Sequence, residues 1–133
     1  MKFAKKISSI VCDDVREEKN SKFSLMGVYG KEIIFNKLPA ILPKLYLVIM
    51  IEDVKEKFNE ITLTLKMPKA KPQVLNRKFP EDIRLGVNFN YIAGFSPFKA
   101  DRAGEAKFEL RIGDSKRVNY VHRLIMKKQA KPS

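Results

Sequence analysis

Three stretches of this chain alternate apolar and polar residues with a period of two, and that rhythm constrains the fold more than any other feature. In Ile61-Thr62-Leu63-Thr64-Leu65-Lys66-Met67 every odd position is apolar, and the same holds for the nine residues from Ile83 to Tyr91. In Ala106-Lys107-Phe108-Glu109-Leu110-Arg111-Ile112 every even position is apolar. Successive side chains of a strand point to opposite faces, so this period describes strands with one face buried and the other wet. A helix would scatter the same residues around its whole circumference. Leu45 to Ile51 is apolar throughout. That run predicts a central strand covered on both faces, or in part by a neighbouring loop.

Further strands are expected at Ile7–Cys12, at 22–35 as one long strand or two with a bend at Gly27 or Gly30, and at Val118–Met126. In the last, Val118, Tyr120, His122, Leu124 and Met126 point inward. Turns fall at Glu17 to Ser21, Asn36 to Pro43, Glu52 to Asn59, Pro68 to Pro80, Ser96 to Gly104 and Gly113 to Ser115. The Gly113-Asp114 pair between two alternating runs signals a hairpin. Short helical turns could sit near Glu52 to Phe58 or Pro97 to Arg102. The expected fold is all-β: a single-domain, two-sheet antiparallel β-sandwich of seven or eight strands, Ig-like or C2-like, with a β-barrel as runner-up. The domain is expected over residues 1–126, followed by a basic flexible tail at 127–133.

A chain of 133 residues with 44% hydrophobic and 32% charged residues can bury a core of its own. The longest apolar run, Leu45 to Ile51, is far short of the ~20 residues of a membrane-spanning helix. Basic residues precede Ile7-Ser8-Ser9-Ile10-Val11, but this segment is too short for a signal-peptide core and runs straight into Cys12-Asp13-Asp14. An unprocessed cytoplasmic protein is therefore expected. A single cysteine, which can form no intrachain disulfide, agrees with that compartment. The net charge of +12 is uneven: +3 over residues 1–66 and +9 over residues 67–133. Such a balance suits an anionic partner, or solubility alone.

Each candidate for chemistry has a plainer structural reading beside it. Asp13, Asp14, Glu17 and Glu18 could hold a divalent cation, but Arg16 and Lys19 are interleaved and no calcium-loop spacing is present. A charged hairpin turn accounts for them, with Asp13 and Asp14 on opposite faces of a strand. Cys12 and His122 are the only residues of their kinds. A thiolate with a histidine base is conceivable across the first and last strands, yet Cys12 in its apolar run reads as a buried small hydrophobe and His122 in its inward register as a core or edge histidine. Glu52-Asp53 and Glu81-Asp82 read as surface turns. No phosphate-binding loop occurs. The cations Lys69, Lys71, Arg77, Lys78, Arg84, Lys99 and Arg102 lie in or beside the expected loops 67–82 and 95–104, and are the expected contacts for an anionic partner.

The stretch Cys12 to Gly30, followed by Leu38-Pro39-Ala40-Ile41-Leu42-Pro43-Lys44-Leu45, resembles a family of small bacterial and phage-borne proteins classed as a domain of unknown function. The resemblance covers mainly residues 7–51. It implies a short β-sandwich of bacterial or mobile-element origin, with an acidic-Arg-Glu turn, a Leu-x-Gly-x-Tyr strand and a Leu-Pro bend. It implies no activity. Within this hairpin Leu25 is expected in the core and Gly27 at a bulge or at a close contact between sheets.

The function expected from these residues is a non-enzymatic binding module whose partner is another protein. The alternative is a nucleic-acid binder working through phosphate contacts. No cofactor, metal or membrane contact is expected, and an edge strand could support a homo-oligomer.

Overall fold

A computed structural model describes residues 3–20 and 22–130. Its strands are β1 (Ala4–Glu17), β2 (Phe23–Tyr29), β3 (Glu32–Phe35), β4 (Ala40–Leu42), β5 (Leu45–Val54), β6 (Phe58–Lys66), β7 (Gln73–Ile83), β8 (Phe89–Phe95), β9 (Phe98–Ala100), β10 (Gly104–Ile112) and β11 (Tyr120–Lys128). One sheet has the order β2-β1-β5-β8 and the other β3-β11-β10-β6-β7, while β4 and β9 form a separate two-stranded ribbon. Both main sheets end in open edges, so the architecture is a sandwich and not the closed barrel held as runner-up. No helix among the described residues is long and apolar enough to cross a membrane.

The alternating runs do what their period requires. Ile61, Leu63 and Leu65 of β6 face the same core as Ala106, Phe108, Leu110 and Ile112 of β10. From the other sheet Leu45, Leu47, Ile49 and Ile51 of β5 meet them, with Ile7 and Val11 of β1. The all-apolar run of β5 is explained by its central place between β1 and β8: Val48, in the opposite register, is also fully buried. Phe95 packs edge-on against Phe108 with ring centroids 5.5 Å apart, which ties the two layers together.

Several boundaries differ from expectation. The run Ile83 to Tyr91 is not one strand, because a turn at Leu85-Gly86 divides β7 from β8. Gly86 takes φ of +79°, a conformation open to glycine, while its N–H still donates to the Val54 carbonyl at 2.8 Å. Segment 68–80 is not a loop throughout, since only the part before Gln73 turns. The rest is β7, an edge strand whose pairing with β6 slips between Phe58↔Ile83 and Glu60↔Lys78. Pro80 falls inside that slip, where its lack of an N–H breaks no ladder. Neither expected helical turn forms: β5 runs to Val54, a bend at 55–57 leads into β6, and Phe98 to Ala100 are β9. Val118 is 42% exposed, in the connection before β11.

Other corrections concern the two ends of the chain. The sheets are antiparallel except for β3 and β11, which pair in parallel through Ile125↔Glu32 to Lys128↔Phe35. The chain passes from one sheet to the other between β2 and β3, at Gly30. The expected tail is in part strand: β11 runs to Lys128, and the Gln129 N–H donates to the Phe35 carbonyl at 2.7 Å. Residues 131–133 of that tail lie outside the described residues, as do Met1, Lys2 and Ser21 of the expected turn.

Candidate functional site

The acidic stretch is a hairpin. β1 and β2 pair in an unbroken register from Val11↔Tyr29 to Glu17↔Phe23. Asp14 pairs with Lys44 at 3.1 Å, and this contact holds its carboxyl below the usual range. Asp13 accepts a hydrogen bond of 2.5 Å from the Tyr29 hydroxyl. Partial burial, then that bond, pushes Tyr29 up to about 12. The described residues contain no group of three or more histidine, cysteine, aspartate or glutamate side chains placed to hold a metal. Gly27 marks no bulge, and its close contact is within its own sheet. At φ of +65° it leaves room for the Asp13 carboxylate, which a Cβ there would strike. Leu25 is only half-buried and lies outside the core cluster, because β2 is the edge strand of its sheet.

Cys12 is buried, and burial raises its thiol. His122 pairs elsewhere. Its Nδ1 lies 2.5 Å from Ser9 Oγ, which also lies 2.5 Å from the Tyr120 hydroxyl. Ser9 belongs to β1 and the other two to β11, so this polar cluster bolts one sheet to the other. The His122 ring packs edge-on against Phe108, and its Nε2 is buried without a partner. Burial holds the imidazole below its ordinary 6.5 and keeps it neutral. The cheaper tautomer has Nδ1–H donating to Ser9, since an unpaired lone pair costs less than an unpaired N–H. Sequence reasoning overlooked Ser9, although it shares the inward register of Ile7 and Val11.

The seven cations expected to contact an anionic partner are all exposed, but they do not converge. Lys69 lies in the turn after β6 at φ of +50°, with Lys71 following it. Lys99 and Arg102 line a small crevice beside that turn, with Met67, Pro68 and Ala70. Lys78 faces the other way on β7 and pairs with Glu60 at 3.8 Å. Arg84 stands at the end of β7. The outer face of the five-stranded sheet alternates charge: Lys66 pairs with Glu109 at 2.9 Å, Arg123 with Glu105 at 2.8 Å and Lys127 with Glu32 at 2.8 Å. Such cross-strand pairs neutralise a surface more than they build a field.

Arg77 is placed differently. It occupies the inward register of β7, opposite the buried Ile61, but at the open margin of the sandwich. Its guanidinium lies 5.4 Å from the Phe79 ring centroid. The pairing slip presents Phe79 to Phe89 of β8, edge-on at 5.2 Å. Together these residues border a groove of about 450 Å³ that runs along β8. Its lining comes from Arg77 and Phe79 of β7, from Phe89 to Ile92 of β8, from Tyr46 of β5, and from Val15 and Glu17 at the end of β1. The Tyr46 ring reaches this margin by crossing Gly94, where a Cβ would come within 2.9 Å of the ring. Sequence reasoning found Arg77, but it placed Phe89 and Tyr91 on a buried face and left Phe79 in an expected loop.

Two open-edged sheets, an inter-sheet polar bolt and a marginal groove define an all-β sandwich. The model of a family of unknown function, DUF6941, matches residues 7–123, well beyond the 7–51 stretch that carried the resemblance. The chain belongs to that family. No curated protein and no solved structure matches it.

Proposed function

We infer that this protein is a binding module without catalytic activity of its own, and that its partner is another protein. The observation that carries this reading is the groove along β8. It combines aromatic walls, one arginine and an open strand edge, the ingredients of peptide recognition. The best-formed polar cluster, Ser9-Tyr120-His122, supports the non-enzymatic part of the reading. Its free nitrogen is buried and the imidazole ring packs edge-on against Phe108, so the cluster holds the sheets together. The single cysteine, buried and free, supports a reducing cytoplasmic setting within the same proposal. The resemblance of residues 7–51 supports a bacterial or mobile-element origin.

The second reading, phosphate-driven nucleic-acid binding, rests on the +12 charge. Against it, several exposed cations are already paired with carboxylates, and Arg77, Lys78 and Arg84 lie away from the corner of Lys69, Lys99 and Arg102, which also holds Asp101. A photo-crosslinking residue at Asn90, in the groove, and another at Arg123, on the outer face of the five-stranded sheet, separate the two. Protein adducts in cells at Asn90 that vanish in an Arg77→Glu background, without counterparts at Arg123, are expected. Nucleic-acid adducts at both positions would reverse the order, as would binding of labelled DNA or RNA that falls steeply between about 50 and 200 mM salt.

A further inference from the structure

The groove lies beside the edge strand of the four-stranded sheet, against Phe89 to Ile92 of β8. One sheet has four strands and the other five. Ser9 fixes how they stack, since it places β1 over β11. At the far side Phe89 of β8 meets both Phe58 of β6 and Phe79 of β7. β8 therefore ends over the last two strands opposite, and β7 overhangs the end of the four-stranded sheet. A fifth strand beside β8 would lie in the groove, with the inner face of β7 beneath it.

β8 can accept such a neighbour. Its antiparallel pairing with β5, from Leu45↔Phe95 to Ile51↔Phe89, occupies the backbone groups on one side only. On the other side no strand among the described residues pairs with it. An open edge of seven residues is a template for another extended chain. The walls add selectivity. Phe79 and Phe89 offer an apolar contact, and Arg77 has no carboxylate within ion-pair distance among the described residues.

We propose that this groove takes an extended acidic segment of a partner protein, added along β8 as a fifth strand, with a carboxylate on Arg77 and an apolar side chain against Phe79 and Phe89. This deepens the protein-binding reading above and rests on it. Main-chain hydrogen bonds supply affinity that is indifferent to sequence, and alternate side chains supply the choice. Arg77 favours a carboxylate because its planar fork can grip both oxygens. Glu17, on the opposite wall, repels a second carboxylate there and so sets the direction of the segment. The net charge of +12 steers acidic chains toward the protein and opposes a second copy of itself.

The test uses two fluorescein-labelled peptides as long as β8, one alternating valine with glutamate and one alternating valine with lysine. Binding is read by anisotropy, and amide hydrogen exchange locates it. The expected result is binding of the glutamate peptide, slowed exchange confined to amides of Phe89 to Phe95, and affinity lower by about tenfold or more in Arg77→Glu. No binding up to about 1 mM would overturn the proposal, as would equal binding of the lysine peptide or protection along β2 instead. Protection of β8 without peptide that grows with protein concentration would put a second copy in the groove and also overturn it. Failure here with groove-specific protein adducts at Asn90 would sink strand addition while the protein-binding reading stands. Failure of both would sink both.

Discussion

Removing the hydroxyl of Ser9 should loosen the two sheets. Ser9 Oγ is the shared partner of the Tyr120 hydroxyl and of His122 Nδ1, each at 2.5 Å. Ser9→Ala strands both groups at once, and His122 Nε2 already has no partner. A buried polar group left unsatisfied costs about 1–3 kcal/mol. The site is half-buried, so water can relieve Tyr120 more readily than the imidazole. The net loss should be about 1.5–3 kcal/mol, or roughly 5–12 °C in Tm for a domain of this size. Urea titrations at pH 8 measure it, with the slope unchanged if only the native state is affected. The imidazole adds a pH signature. Burial depresses its pKa below 6.5, so between the folded and unfolded values the unfolded chain holds the proton. Its contribution to stability is therefore fully present above about pH 6.5 and is lost as pH falls toward the folded-state value. His122→Phe keeps the Ser9–Tyr120 bond and removes this dependence. A Ser9→Ala loss under about 0.5 kcal/mol would refute the bolt. A wild-type minus His122→Phe difference that stays flat from pH 8 to 5 would refute the buried neutral imidazole.

Three more outcomes are expected. Phe108→Ala should cost about 4–5 kcal/mol by urea denaturation, near the top of the range for such truncations, because the ring is fully buried and packs against both Phe95 and His122. Gly27→Ala should cost about 1–3 kcal/mol through its left-handed backbone alone. It should also displace the Asp13 carboxylate and bring the Tyr29 hydroxyl down from about 12, which absorbance titration of the phenolate reads. Lys44→Ala should raise the Asp14 carboxyl toward its ordinary value, followed by carboxyl NMR titration; an unmoved midpoint would show that Lys44 is not its principal partner.

The fold was legible where hydrophobic period and burial coincide. β6 and β10 alternate strictly because one face of each is core and the other is water, so their residues could be placed in register from the letters alone. β5 could be recognised as central because no edge strand needs two apolar faces. The period failed at Ile83 to Tyr91, where the apolar rhythm continues across Gly86 although the backbone turns. It failed again at β7, where an edge strand bears lysine, arginine and proline because only one of its faces is partly covered. That composition is what a loop also shows. The groove was illegible for a related reason. Phe89 looks like a core residue and Phe79 falls in an expected loop, and only the relative offset of the two sheets turns them into a wall. Ser9 was hidden by its chemistry, since a serine within an apolar register reads as noise until a partner on a remote strand is known.

The parallel pairing of β3 with β11 has a consequence for how the chain becomes a protein. Glu32 and Ile125 are partners separated by 93 residues of chain. Between β3 and its sheet neighbour β11 come β4 to β10. During synthesis the strands β1, β2 and β5 can find one another early, while β3 must wait for the last strand to emerge. Closing so long a loop costs entropy that no local contact returns, so this step belongs late in folding. Until then Ile33 and Phe35, buried in the finished fold, are exposed on a short strand with unpaired edges. The nascent chain is therefore most open to aggregation, or to capture by a chaperone, in the interval before β11 arrives.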